Sequence, residues 1–337
     1  MSTENQDLAK LNRGVGIIIG SVIVLLAALI VLIFQTGENN SSELDFKPTA
    51  VSDEQPSIYW RPLKLSEIKD DKKFNQIFYG HELIVNTAEY LGPKGKVAQI
   101  SNGLNCQNCH LDGGTKVFGN NYGSVASLYP KFRARSGSIE DLPKRINDCF
   151  ERSLNGKALK KNSPEMQAIV AYITYIGSNV PKGNNGAGSG LKELPLLNRA
   201  ANPATGKLIY EEKCASCHQS SGQGIKNGYG DAYVYPPLWG EHSFNDAAGL
   251  HRLTNMARFV KYNMPLGADH ENPQLSDEEA WDVSAYIISQ KRPHLDTPND
   301  WPDVSKKPMD HPFGPYADGF SEQQHKFGPY TAMAKKK

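Results

Sequence analysis

Cys106-Gln-Asn-Cys109-His110 and Cys214-Ala-Ser-Cys217-His218 are the two stretches that decide how this chain folds. Each is a C-x-x-C-H run, the attachment signature of a c-type haem. Two cysteines three residues apart on a helical turn reach the two vinyl groups of one porphyrin as thioethers. The adjacent histidine then lies under the iron and donates a ring nitrogen as proximal ligand. A zinc site or a thioredoxin-like redox pair would account for a lone C-x-x-C. Two copies, each with its histidine, point to two covalently bound haem c groups.

Outward from these motifs, 108 residues apart, the sequence echoes itself. After each comes a loop-rich stretch and then a short amphipathic helix, SPEMQAIVAYITYIG (163–177) and SDEEAWDVSAYIISQ (276–290). Both helices open on a serine suited to N-capping with an acid close behind. Both place a tyrosine, Tyr172 or Tyr286, in an A-Y-I core. GKLIYEEK (206–213) reads as the helix leading into the second motif, and PKGNNGAGSG (181–190) has the composition of a linker. The pattern is two domains of one architecture.

Towards the N-terminus, VGIIIGSVIVLLAALIVLIF (15–34) runs without a charge. As a helix it spans roughly 30 Å, the thickness of a bilayer's hydrocarbon core. It is longer than the apolar region of a signal peptide and leads into no A-x-A cleavage pattern. Lys10 and Arg13 precede it, while Glu38, Glu43 and Asp45 follow. That asymmetry places the N-terminus in the cytoplasm and the rest outside. The expected protein is therefore mainly α, with an N-terminal transmembrane helix and two class I cytochrome c-like domains. Its parts are an anchor (1–35), a tether (36–57), a first domain (58–182), a linker (183–198) and a second domain (199–337) wrapped by its own tail. The expected location is the inner membrane, crossed once, with the haem domains in the periplasm. A net charge of +1, from 37 basic and 36 acidic residues, gives no case for nucleic acid.

Each iron needs a sixth ligand or an open position. In the second domain the candidates are Met264, Met256, His242, His251 and His270. Met264 is favoured, because it stands in Asn-Met-Pro-Leu-Gly just after a helical run, whereas Met256 lies inside that run. Thioether ligation raises a haem's potential and suits electron transfer. The first domain has Ser153-Leu-Asn-Gly-Lys157 in the corresponding place. Met166 there reads as packing and His81 as a surface or satisfied histidine.

What the first domain does have is the fifth cysteine, Cys149. Free cysteine is often just a small buried hydrophobe. Here its helix, E-D-L-P-K-R-I-N-D-C-F-E-R-S, spaces Arg145, Cys149 and Ser153 at i, i+4 and i+8 on one face. Arg133 and Arg135 arrive from the preceding loop. Arginines beside a thiol favour the thiolate and can hold an oxyanion. The plain alternative pairs these arginines with Glu140, Asp141, Asp148 and Glu151, and Arg152 is read that way.

At these residues the chain resembles the dihaem thiosulfate dehydrogenases of bacteria, some of which also run as tetrathionate reductases. The likeness covers N-G-L-N-C-Q-N-C-H-L-D-G-G-T, Y-P-K-F-R-A-R-S-G, R-I-N-D-C-F-E-R-S-L-N-G, N-M-P-L-G and H-P-F-G-P-Y-A-D-G-F. The resemblance implies that Cys149 is the distal ligand of the active-site haem, opposite His110. It implies that Arg135 and Arg145 line an anion pocket with Ser153 nearby, and that Met264 ligates the second, electron-transfer haem opposite His218. Some relatives carry lysine before that methionine, where this chain has Asn263. The implied reaction couples two thiosulfate to tetrathionate, with electrons exchanged with a periplasmic or membrane c-type cytochrome or oxidase. The competing reading is a membrane-anchored dihaem electron carrier with no substrate of its own.

Overall fold

Two crossed helix pairs, one in each half, carry the architecture of the computed structural model, which describes residues 58–228 and 232–335 together with Leu26. The apolar run at 15–34, but for Leu26, and the tether at 36–57 lie outside the described residues. Among the described residues no helix is long and apolar enough to cross a membrane. The main helices are α1 (Asp71–Val85), α2 (Leu142–Arg152), α3 (Pro164–Ile176), α4 (Pro203–Lys213), α5 (Leu253–Asn263) and α6 (Asp277–Ser289). Short strands β1 (Gly119–Asn121), β2 (Lys131–Arg133), β3 (Ser138–Glu140) and β4 (Gly190–Leu191) tie the loops down.

In the first half α1 packs on α3, and in the second α4 packs on α6. Both crossings pass through a glycine. A Cβ on Gly80 would stand 2.0 Å from the Ala168 carbonyl oxygen, and one on Gly206 would stand 1.9 Å from that of Asp282. The backbones approach too closely for any side chain, so glycine is kept despite its cost inside a helix. Helix α1 was not expected from the sequence, and it supplies the first half with the partner that α4 supplies to the second.

The helix starts obey local chemistry. Ser163 Oγ accepts from Met166 N at 3.2 Å, and Ser276 and Glu279 form a reciprocal capping box. Asp141 caps α2 by accepting from Lys144 N at 2.9 Å, with Pro143 in the first turn. Such caps contribute about 1 kcal/mol each. The apolar faces they set in register close two cores. Leu83, Phe150, Met166 and Tyr172 lie in the first, and Tyr210, Leu253, Met256 and Trp281 in the second.

Specific contacts hold the connections. The linker at 183–198 is docked at its start. Trp60 N donates to Ala187 O at 2.8 Å, Phe118 N donates to Gly188 O at 2.8 Å, and β4 pairs antiparallel with β1. The tail does pack on the second half, through Tyr330 and Met333 in its core. It also straps the first half, where Asp300 meets Arg152 at 2.9 Å and Trp301 N donates to Arg135 O at 2.6 Å.

Candidate active site

In each half a backbone carbonyl aims the histidine of the C-x-x-C-H motif. His110 Nδ1 donates to Asn120 O at 2.5 Å, and His218 Nδ1 donates to Pro236 O at 2.8 Å. A carbonyl only accepts, so the proton is fixed on Nδ1 and Nε2 is left with its lone pair, as metal-ligating histidines require. His110 also stacks on Tyr122 with centroids 4.5 Å apart. Beside it a cavity of about 300 Å³ is lined by Cys106, Cys109, Ile84, Leu104, Phe150 and Ile169, among others. Burial pushes the thiols of Cys106 and Cys109 up to about 12, so both are neutral. An apolar slot flanked by two neutral thiols and a tautomer-fixed imidazole fits a haem held by Cys106, Cys109 and His110. In the second half Cys214 and Cys217 precede His218 in the same way, with its Nδ1 held by Pro236 O, and burial raises Cys214 to about 11.

Cys149 differs from its neighbours. It borders the same slot as His110. Arg145 Nη1 donates to its sulfur at 3.1 Å, the contact that the i, i+4 spacing on α2 allows. Burial opposes a charged sulfur here, the Arg145 guanidinium favours it, and the thiol stands below its ordinary value. Arg145 thus favours the thiolate, the nucleophilic and metal-binding form.

A second cavity, of about 470 Å³, opens beyond Cys149 and shares Arg133, Arg145, Cys149 and Ser153 with the first. The sequence-expected Arg135 borders it, but its guanidinium is ion-paired with Asp148, whose side chain is 2 % exposed. Lys144 reaches the other oxygen of Asp148 at 2.5 Å. Arg152 does not face solvent as expected. It borders the cavity and meets Asp300 of the tail, because the tail covers this face. The far wall comes from the second half and the tail, including Arg252, Arg258, Trp301 and His311. None of these was singled out from the sequence. The quoted H-P-F-G-P-Y run, which begins at His311, was the only signal.

Met264 is the C-cap of α5, half-buried against the core of the second half, whereas Met256 is 3 % exposed within it. Of the alternative ligands, His242 is exposed. His251 is buried and stacked on Phe313, and burial lowers it to about 3. His270 meets Tyr59 and Phe118 edge-on. In the first half His81 is bonded to Glu82 at 3.2 Å and Met166 is fully buried, in keeping with the readings given above.

Two histidines aimed by carbonyls in two helix-crossed domains, each with its cysteine pair, define a dihaem cytochrome c. Comparison with known proteins agrees in both halves. Residues 96–181 match the SoxA/TsdA cytochrome c domain, and residues 203–291 match the cytochrome c family. The thiosulfate dehydrogenase of Allochromatium vinosum is 40 % identical over 64 % of this chain and 81 % of its own length. That of Stutzerimonas stutzeri is 35 % identical over 70 % of this chain and 73 % of its own. The solved thiosulfate dehydrogenase (TsdBA) of Marichromatium purpuratum superposes with a TM-score of 0.64 at 28 % identity, covering 70 % of this chain and half of that one. The chain belongs to the dihaem thiosulfate dehydrogenase family and carries two covalently bound haem c groups.

Proposed function

We propose that this thiosulfate dehydrogenase joins two thiosulfate ions into tetrathionate at Cys149, where His110 and Cys149 would hold the iron of the first haem and His218 and Met264 that of the second. The observation that carries this reading is the contact between Arg145 and Cys149 on the wall shared by the haem slot and the larger cavity. An electron carrier has no use for an activated thiolate facing an open, arginine-lined cavity.

The haems, when bound, supply two one-electron exits for the pair released as sulfur bonds to sulfur. The Cys149 thiolate bonds to the terminal sulfur of one thiosulfate, and two electrons leave. The terminal sulfur of a second thiosulfate then attacks the substrate-derived sulfur of that bond. Tetrathionate departs and Cys149 returns as the thiolate leaving group. Arg145 holds negative charge against the sulfur. Arg135 acts through Asp148, cancelling a carboxylate that would otherwise repel the dianions and oppose the thiolate. Ser153, one turn after Cys149, offers a hydroxyl to the same cavity.

Electrons then pass to a periplasmic or membrane c-type cytochrome or oxidase. The apolar run at 15–34 and its charge asymmetry support an anchor that holds the haem domains on the periplasmic face of the inner membrane. Tetrathionate reduction by the same residues is the reverse course. Steady-state assays of the purified protein test the reading, using thiosulfate with an oxidant and tetrathionate with a reductant. Turnover of thiosulfate to tetrathionate is expected, and its absence with both haems in place would refute the proposal.

A further inference from the structure

Six arginines line the larger cavity, and they are not equivalent. Arg135 is taken by Asp148, Arg152 by Asp300, Arg252 by Asp310 and Arg258 by Glu193. Each of these four is held by an acid, Asp148 being shared with Lys144. Arg145 is engaged by Cys149. Among the described residues Arg133 and Arg145 are the two arginines of the cavity with no carboxylate partner; Arg145 is engaged by the sulfur, which leaves Arg133 for an anion, and it borders the haem slot as well.

Its position is fixed by backbone. Arg133 ends β2, opposite Ser138 of β3, and its carbonyl accepts from Gly137 N at 2.9 Å to close the turn. Strand β3 runs directly into Asp141, the cap of α2, so the hairpin and the Cys149 helix form one continuous frame. Arg133 and Arg145 both line the haem slot and the larger cavity.

We infer that Arg133 is a substrate-binding residue. It takes a sulfonate group of thiosulfate or tetrathionate where the two cavities meet, while Arg145 holds the sulfur end at Cys149. The inference rests on the thiosulfate reading above and deepens it. Bringing two dianions together needs positive charge that no resident acid has already cancelled, and a guanidinium's fork matches the oxygens of a sulfonate. An arginine kept only to hold the hairpin would have been paired like the other four.

The test compares Arg133→Ala and Arg133→Lys with the native dihaem protein. Two readings are taken: the KM for thiosulfate, and calorimetric binding of tetrathionate to the oxidised protein, which needs no turnover. Arg133→Ala should weaken both at least tenfold. Arg133→Lys should recover part of the loss, with Tm, haem content and haem spectra unchanged in both variants. An Arg133→Ala protein within twofold of native in both readings would overturn the inference, as would a fall in Tm with native affinity. If the native protein binds tetrathionate but does not turn over thiosulfate, the reaction is wrong and Arg133 still stands or falls by the binding comparison. If the native protein binds no tetrathionate, both are overturned.

Discussion

Arg145 Nη1 stands 3.1 Å from Cys149 Sγ, one helical turn away on α2, with no carboxylate between them. A buried guanidinium normally finds an acid. Here it finds a thiol, and each stabilises the charged form of the other. Arg145→Ala should therefore raise the KM for thiosulfate at least tenfold, the equivalent of roughly 1.5–3 kcal/mol for a charge-assisted contact. Steady-state kinetics on protein with its full haem content checks this, and an unchanged KM would place the substrate elsewhere.

Arg135 should behave differently. Its removal strands Asp148, 2 % exposed, with only the half-exposed Lys144 for company. Breaking such a pair costs about 3–5 kcal/mol, and Lys144 keeps the loss near the lower end. Denaturant unfolding of Arg135→Ala should show that loss together with a raised KM. Adding Asp148→Asn should restore much of the stability, because no uncompensated charge then remains.

At the second haem, Met264→Ala should remove the thioether-to-iron absorption band and lower that haem's potential. Haem attachment should be unaffected, since Cys214 and Cys217 provide it. Spectra and redox titration decide the matter. Survival of the band would shift the ligand to Met256, which the structure places in the core.

Much of this was readable because it is local. The C-x-x-C-H runs, the caps at Ser163 and Ser276, and the shared face of Arg145, Cys149 and Ser153 each depend on residues within two turns of one another. Helix α1 was not readable, because Gly80 looks like a helix breaker until α3 is seen to cross it with no room for a Cβ. The division of labour between Arg133 and Arg135 was equally hidden. It turns on which guanidinium Asp148 reaches once α2 folds against the hairpin. The far wall of the cavity comes from residues such as Arg252, more than a hundred positions from Cys149, and no local pattern announces them.

The tail should come loose in acid. Burial works against a charged Asp310, but Arg252 and Thr254 outweigh it and hold its carboxyl below the ordinary value of 3.8. A depressed pKa in the folded state gives stability that is fully present above that ordinary value. It is lost as pH falls through the folded one. Proteolysis of the tail by an acid-stable protease should accelerate in that window. Asp310→Asn should show the faster cleavage already at neutral pH.

The most direct measurement is thiosulfate oxidation by a Cys149→Gly protein that is folded and carries both haems. Cys106, Cys109, Cys214 and Cys217 attach the haems, so content should be native. The thiolate that bonds to sulfur is gone, so turnover should fall by at least three orders of magnitude, as expected when a nucleophile is removed. A variant with both haems and a near-native rate would contradict the central role of Cys149 and leave the chain an electron carrier.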